Sequence, residues 1–87
     1  MRFDVLVEVR LRPGIADPQG ATIERALPAL GFTGVSGVSV GKAFRLSIEA
    51  ESAVDAEERA ADLARRLLAN PVIEDSWVTL LDPEPAP

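Results

Sequence analysis

In the stretch F-D-V-L-V-E-V-R-L, residues 3–11, the apolar positions Phe3, Val5, Val7, Val9 and Leu11 recur at every second residue. A period of two places them on one face of a β-strand, with Asp4, Glu8 and Arg10 on the other. A strand of this kind has one face to bury, so it needs neighbouring strands and a covering layer. Leu6 interrupts the polar side, which is therefore expected to be partly covered too. Pro13-Gly14 then turns the chain.

The next punctuation opens a helix. Asp17 is a favoured N-cap, and Pro18 stands at the first helical position, where a missing N–H costs nothing. Ile23, Ala26, Leu27 and Leu30 follow at i, i+3, i+4 and i+7 and form one apolar stripe. Pro28 removes the bond to the Glu24 carbonyl and should kink the last turn, with Gly31 as the terminal residue at positive φ. Residues 34–51 read as a hairpin, V-S-G-V-S-V and A-F-R-L-S-I-E-A-E flanking Gly41-Lys42. Gly41 supplies the positive φ of a tight turn, or the segment is one longer bent strand.

Ser52 with Asp55 three residues on resembles a capping box. The second helix is expected to run to about Ala69, with Ala56, Ala60, Leu63, Ala64 and Leu67 inward and the pairs Asp55–Arg59 and Asp62–Arg66 outward. Asn70-Pro71 stops it. V-I-E-D-S-W-V-T-L-L makes a last strand, with Ile73, Trp77 and Leu81 on one face and Val72, Val78 and Leu80 on the other.

The order is strand, helix, strand, strand, helix, strand. It predicts an α+β two-layer sandwich, a ferredoxin-like variant with an antiparallel sheet and both helices on one face. Residues 1–82 form a single domain, and 83–87 form a flexible Pro-rich tail. The uncovered side of the sheet, with Leu6, Val72 and Val78 on or near it, invites pairing with another chain. Self-association is the leading structural expectation.

The 87 residues contain no cysteine and no histidine. Disulfides, thiolate metal sites and imidazole general bases are thereby excluded. A formal charge of −5 with no basic cluster beyond Arg65-Arg66 argues against nucleic acid as a partner. No apolar run approaches a membrane span, so a cytoplasmic location is expected and no membrane partner. The acidic residues Glu49, Glu51, Glu57, Glu58, Asp62, Glu74 and Asp75 read as solvated surface rather than a catalytic pair. Gly34, Gly37 and Gly41 beside Lys42 lack the spacing of a phosphate loop, and Phe3 and Phe44 fall on the core face.

Turn and cap chemistry accounts for most of R-P-G-I-A-D-P-Q-G-A-T-I, residues 12–23, but it does not demand Gln19 or Gly20. Glycine in a first helical turn costs up to about 1 kcal/mol against alanine. Close approach of another backbone explains it, which makes this corner a candidate partner contact.

Four segments, R-P-G-I-A-D-P-Q-G, A-L-P-A-L-G-F, V-S-V-G-K and L-L-A-N-P-V-I-E-D, stand in the order and spacing of the PurS family. The chain resembles that family from residue 3 to residue 77. PurS is the small subunit of phosphoribosylformylglycinamidine (FGAM) synthase in purine biosynthesis. The resemblance implies a non-catalytic subunit that bridges a PurL-type synthetase and a PurQ-type glutaminase and assists ammonia transfer between them. That enzyme converts formylglycinamide ribonucleotide to the amidine with glutamine and ATP. It implies a homodimer, or a tetramer built from two dimers. It also implies no cofactor on this chain, with ATP and Mg on the synthetase. The positions carried over as partner-contact candidates are Pro13, Gly14, Asp17, Pro18, Gln19, Gly20, Gly41, Lys42, Asn70 and Pro71. Gly31 and Phe32, and Val72, Ile73 and Glu74, occupy the remaining motif positions. Pro28 and the Pro-rich tail depart from the pattern.

A rival reading is a small-molecule sensor domain of the same topology, binding an amino acid at a dimer interface. Glycine-rich turns after the first strand would serve it.

Overall fold

The computed structural model describes residues 1–81; the expected tail lies outside them. Strand β1, Arg2–Leu11, is central, flanked by β2, Gly41–Glu49, and β3, Glu74–Leu80, in the order β2-β1-β3 with both pairs antiparallel. The register sets Val5 opposite Leu46 and Leu80, and Val7 opposite Phe44 and Val78. Val5, Val7 and Val9 are fully buried, as the alternation of β1 requires. Helix α2, Ala53–Leu63, covers this face and buries Ala56 and Ala60 against it, with Ala64 of the next turn completing the cluster. Ser52 Oγ accepts the Asp55 N–H at 3.1 Å, and Asp55 accepts the Glu51 N–H at 3.1 Å. The capping box thus forms with its return bond shifted one residue outward.

The antiparallel α+β architecture stands, and two of its expected details are corrected. Residues 34–40 form no strand, so the hairpin is absent. Gly41 opens β2 directly, and its φ is not positive. Helix α1, Pro18–Ala26, packs with the 3₁₀ turn Pro28–Leu30 and not over the sheet. The second difference follows from the first. Three strands spaced by about 4.8 Å make a sheet wide enough for one helix of roughly 10 Å diameter, and α2 takes that place. Most of the stripe expected to be inward is therefore exposed, with Ile23 at 45% and Leu30 at 70%, while Leu27 is half-buried. The radius of gyration is 16.7 Å, where a compact chain of this length has about 12 Å.

Pro28 acts as its chemistry demands. It has no N–H for the Glu24 carbonyl, which instead accepts from Leu27 at 3.3 Å; α1 ends and a 3₁₀ turn closes at Gly31, φ 88°.

Past α2, residues Ala64–Leu68 form a π turn closed by the Ala69 N–H on the Ala64 carbonyl at 2.9 Å. The wider turn keeps Leu68 over Ala64 and against the core, whereas Leu67, expected inward, is 74% exposed. Asp62 pairs with Arg66 at 3.3 Å as expected. Asp55 and Arg59 do not pair; Arg59 donates to the Glu49 carbonyl instead. On β3, Val78 faces the core, not the uncovered side as expected, because it stands opposite Val7. Val72 lies exposed in the turn before β3. The uncovered face carries Leu6 and Trp77, the Arg10 guanidinium standing 3.9 Å from the Trp77 ring centroid.

Candidate functional site

Three of the four quoted segments, residues 12–20, 38–42 and 67–75, meet at one end of the sheet, where β1 ends and β2 begins. Two bonded networks hold that end together.

The first joins α1 to the extended residues 38–40. Asp17 caps the helix by accepting the Gly20 N–H at 2.9 Å, and its second oxygen accepts the Val40 N–H at 2.8 Å. Glu24 accepts the Val38 N–H at 2.7 Å. Between these two carboxylates Gly20 lies buried, and a Cβ placed there would stand 2.2 Å from the Val38 carbonyl oxygen. The close approach anticipated for Gly20 is thus made by the chain's own backbone. Bonds from the Gly20 and Val40 N–H groups hold the Asp17 carboxyl below the ordinary aspartate range. The same side of an extended segment is presented by residues two apart, so Val38 and Val40 both turn their N–H groups to α1.

The second network joins β1, β2 and the turn before β3. The Arg12 backbone N–H donates to the Ile73 carbonyl at 2.8 Å. Its guanidinium donates to the Pro71 carbonyl and pairs with Asp75 at 3.2 Å. Asn70 shapes that turn: its side-chain oxygen accepts the Val72 N–H at 3.1 Å, and its own N–H donates to Glu74 at 2.7 Å. Lys42 reaches the Leu68 carbonyl at 3.5 Å and the Glu74 carboxylate at 3.8 Å. The lysine thereby ties the end of the second helical segment to the start of β3.

Among the ten candidates, Asp17 and Gly20 meet in the first network, and Lys42, Asn70 and Pro71 in the second. Pro13 lines a cleft of about 360 Å³ with Arg10, Ser39, Val40 and Trp77 between the two. Gly14 takes a φ of 85° in the turn after β1. Gly41 is explained by proximity: a Cβ there would lie 2.8 Å from the Val9 carbonyl oxygen. Pro18 and Gln19 lie on the outer surface of α1 beside Thr22 and Ile23, and the structure does not bring them to the rest.

Arg12 and Glu24 are not singled out by the sequence, and Asp75, expected as solvated surface, is paired with Arg12. A signal for Glu24 exists, since Asp17, Gly20 and Glu24 recur at i, i+3 and i+7 and so share a helical face. Arg12 and Asp75 carry no comparable local signal, because their contact spans two strands.

Among the described residues, no group of three or more His, Cys, Asp or Glu side chains is placed to hold a metal ion, and no helix is long and apolar enough to cross a membrane. The polar groups of the two networks are engaged in bonds that shape backbone.

Comparison with known proteins gives the site a context. Residues 4–82 match the profile of the family described as PurS, phosphoribosylformylglycinamidine (FGAM) synthase. The chain is 47% identical over 74 residues to the PurS subunit of that synthase from Archaeoglobus fulgidus, covering 85% of this chain and 90% of the relative. It is 50% identical over 74 residues to the PurS subunit from Mycobacterium leprae, with the same two coverages, 85% and 90%. The crystal structure of the Thermotoga maritima purS subunit superposes with a TM-score of 0.84 at 34% identity, covering 93% of both chains. A chain in the structure of PurLQS from Thermotoga maritima superposes with a TM-score of 0.85 at 34% identity, covering 93% of this chain and 99% of that one.

Proposed function

The chain belongs to the PurS family of FGAM synthase subunits, and on that premise we propose that it is the non-catalytic member of the complex. In this reading it bridges a PurL-type synthetase and a PurQ-type glutaminase and assists the passage of ammonia from one to the other. The observation that carries the proposal is the likeness over 93% of the chain to a chain of PurLQS. The reactive chemistry then belongs to the partners, with ATP and Mg on the synthetase and none on this chain. The absence of His and Cys from the sequence agrees with that division of labour. Its location in this reading is the cytoplasm.

The working form is a homodimer. Ile23, Leu30, Phe32 and Val35 are each at least 45% exposed within a short stretch around α1. Apolar side chains gathered in this way mark a protein interface. No feature of the site favours the rival amino-acid sensor.

The test mixes the purified chain with the synthetase and glutaminase subunits of the same organism. Glutamine-dependent FGAM formation should require all three, while ammonia-dependent formation should need the synthetase alone. Equal glutamine-dependent turnover without this chain would end the proposal. Calorimetry with free amino acids should show no binding.

A further inference from the structure

We infer that the outer edge of β3, with the face of α2 beside it, receives an extended basic segment of a partner subunit by strand addition. The inference rests on the assembly role proposed above and names a surface for it.

Strand β3 pairs with β1 alone and is one border of the sheet. Its ladder identifies the outward groups. The Leu81 N–H donates to the Asp4 carbonyl at 2.9 Å, and the Ile73 carbonyl accepts from Arg12. Odd-numbered residues therefore face β1, and the N–H and C=O groups of Ser76 and Val78 point away from it. Among the described residues nothing bonds to them. Natural edge strands are commonly guarded by Lys or Pro. The opposite border, β2, carries Lys42 and Arg45, whereas β3 reads E-D-S-W-V-T-L, has no Lys or Pro, and carries its charges only at its first two residues.

A groove of about 680 Å³ runs beside this edge and reaches onto α2. Ala61 and Val78 contribute small apolar surface to it, and Glu57 and Glu58 line it from the helix. The other charges around it are balanced. Arg12 meets Asp75 at 3.2 Å, Glu74 meets Lys42 at 3.8 Å, and Arg65 meets Asp62 at 3.5 Å. Glu57 and Glu58 have no ion-pair or hydrogen-bond partner among the described residues.

The occupant follows from those charges. An added strand turns alternate side chains toward α2, where Lys or Arg would meet the two free carboxylates. A second copy of this chain is disfavoured, because a second β3 edge carries no Lys or Arg to meet Glu57 and Glu58.

Two variants test the inference in the assembled complex, with binding to the two partner subunits read by sedimentation. Glu57→Lys with Glu58→Lys reverses the charge. Ser76→Pro removes an outward N–H and leaves the β1 ladder intact. Each is expected to weaken association by about tenfold or more, with circular dichroism and self-association unchanged. Glu57→Gln with Glu58→Gln should give a smaller loss, and wild-type binding should weaken with salt. If the wild-type chain joins the complex and both the charge reversal and Ser76→Pro join it equally well, the groove inference is overturned while the assembly role stands. If the wild-type chain does not join its partners at all, both readings fall. Loss of self-association in place of partner binding would make the groove a contact between copies, which also overturns the inference.

Discussion

The carboxylate of Asp17 accepts the Val40 N–H at 2.8 Å across a separation of 23 residues, while its other oxygen caps α1 through Gly20. One side chain therefore both starts the helix and fixes the extended residues 38–40 beside it. Helix α1 has no bed on the sheet, so this contact does for it what core packing does for α2.

That arrangement predicts a pH dependence. Asp17 is held below the ordinary aspartate range in the folded state by the Gly20 and Val40 N–H groups. Its contribution is therefore complete above the pKa of an unfolded aspartate and is lost as pH falls through the lower, folded value. Thermal unfolding followed across the acid range should show the wild-type advantage over Asp17→Asn shrinking as the pH falls. A constant difference down to the lowest pH would rule the linkage out.

Gly20→Ala sets helix propensity against sterics. Alanine gains about 1 kcal/mol of propensity, but its Cβ would lie 2.2 Å from the Val38 carbonyl oxygen. Backbone cannot swing aside as a flexible side chain does, and overpacking of this kind typically costs about 1–3 kcal/mol. Net destabilisation by denaturant unfolding is expected. A gain in stability would show that residues 38–40 yield freely.

The neighbouring leucines after α2 should behave oppositely. Leu68 packs against the core and Leu67 is 74% exposed. Leu68 is half-buried, so Leu68→Ala should cost about 1–2 kcal/mol, and Leu67→Ala less than about 0.5 kcal/mol. Equal losses in urea unfolding would contradict the π turn that separates them.

Arg12→Ala removes the bond to the Pro71 carbonyl and the pair with Asp75. The arginine side chain is 46% exposed, so the global cost should stay within about 1 kcal/mol. The local effect should be larger: amide exchange in the turn before β3 should quicken, and Arg12→Lys should restore it only in part, because lysine lacks the planar fork. Unchanged exchange at Ile73 and Glu74 would remove Arg12 from its assigned role.

Much of this protein was legible from local patterns. The alternation in residues 3–11 specified which side of β1 is buried, and Asp17-Pro18 and Ser52 marked the helix starts found in the structure. Asn70-Pro71 marked the end of the second helical segment. In the candidate site, the unexplained Gly20 pointed to a close backbone contact, expected from a partner and made instead by the chain's own backbone. The sequence did not identify that neighbour as Val38, nor that Arg12 reaches the turn before β3, because neither contact leaves a mark on residues adjacent in the chain.

Sequence alone settled the side-chain chemistry and the apolar faces, since periodicity and capping act over a few residues. Tertiary structure decided what covers those faces. A stripe such as Ile23, Ala26, Leu27 and Leu30 records that a helix has an apolar side, yet the three-stranded sheet had room for only one helix, and α2 filled it. Most of the stripe on α1 is left exposed because burial depends on how many strands pair, a sum over distant segments that no single segment carries.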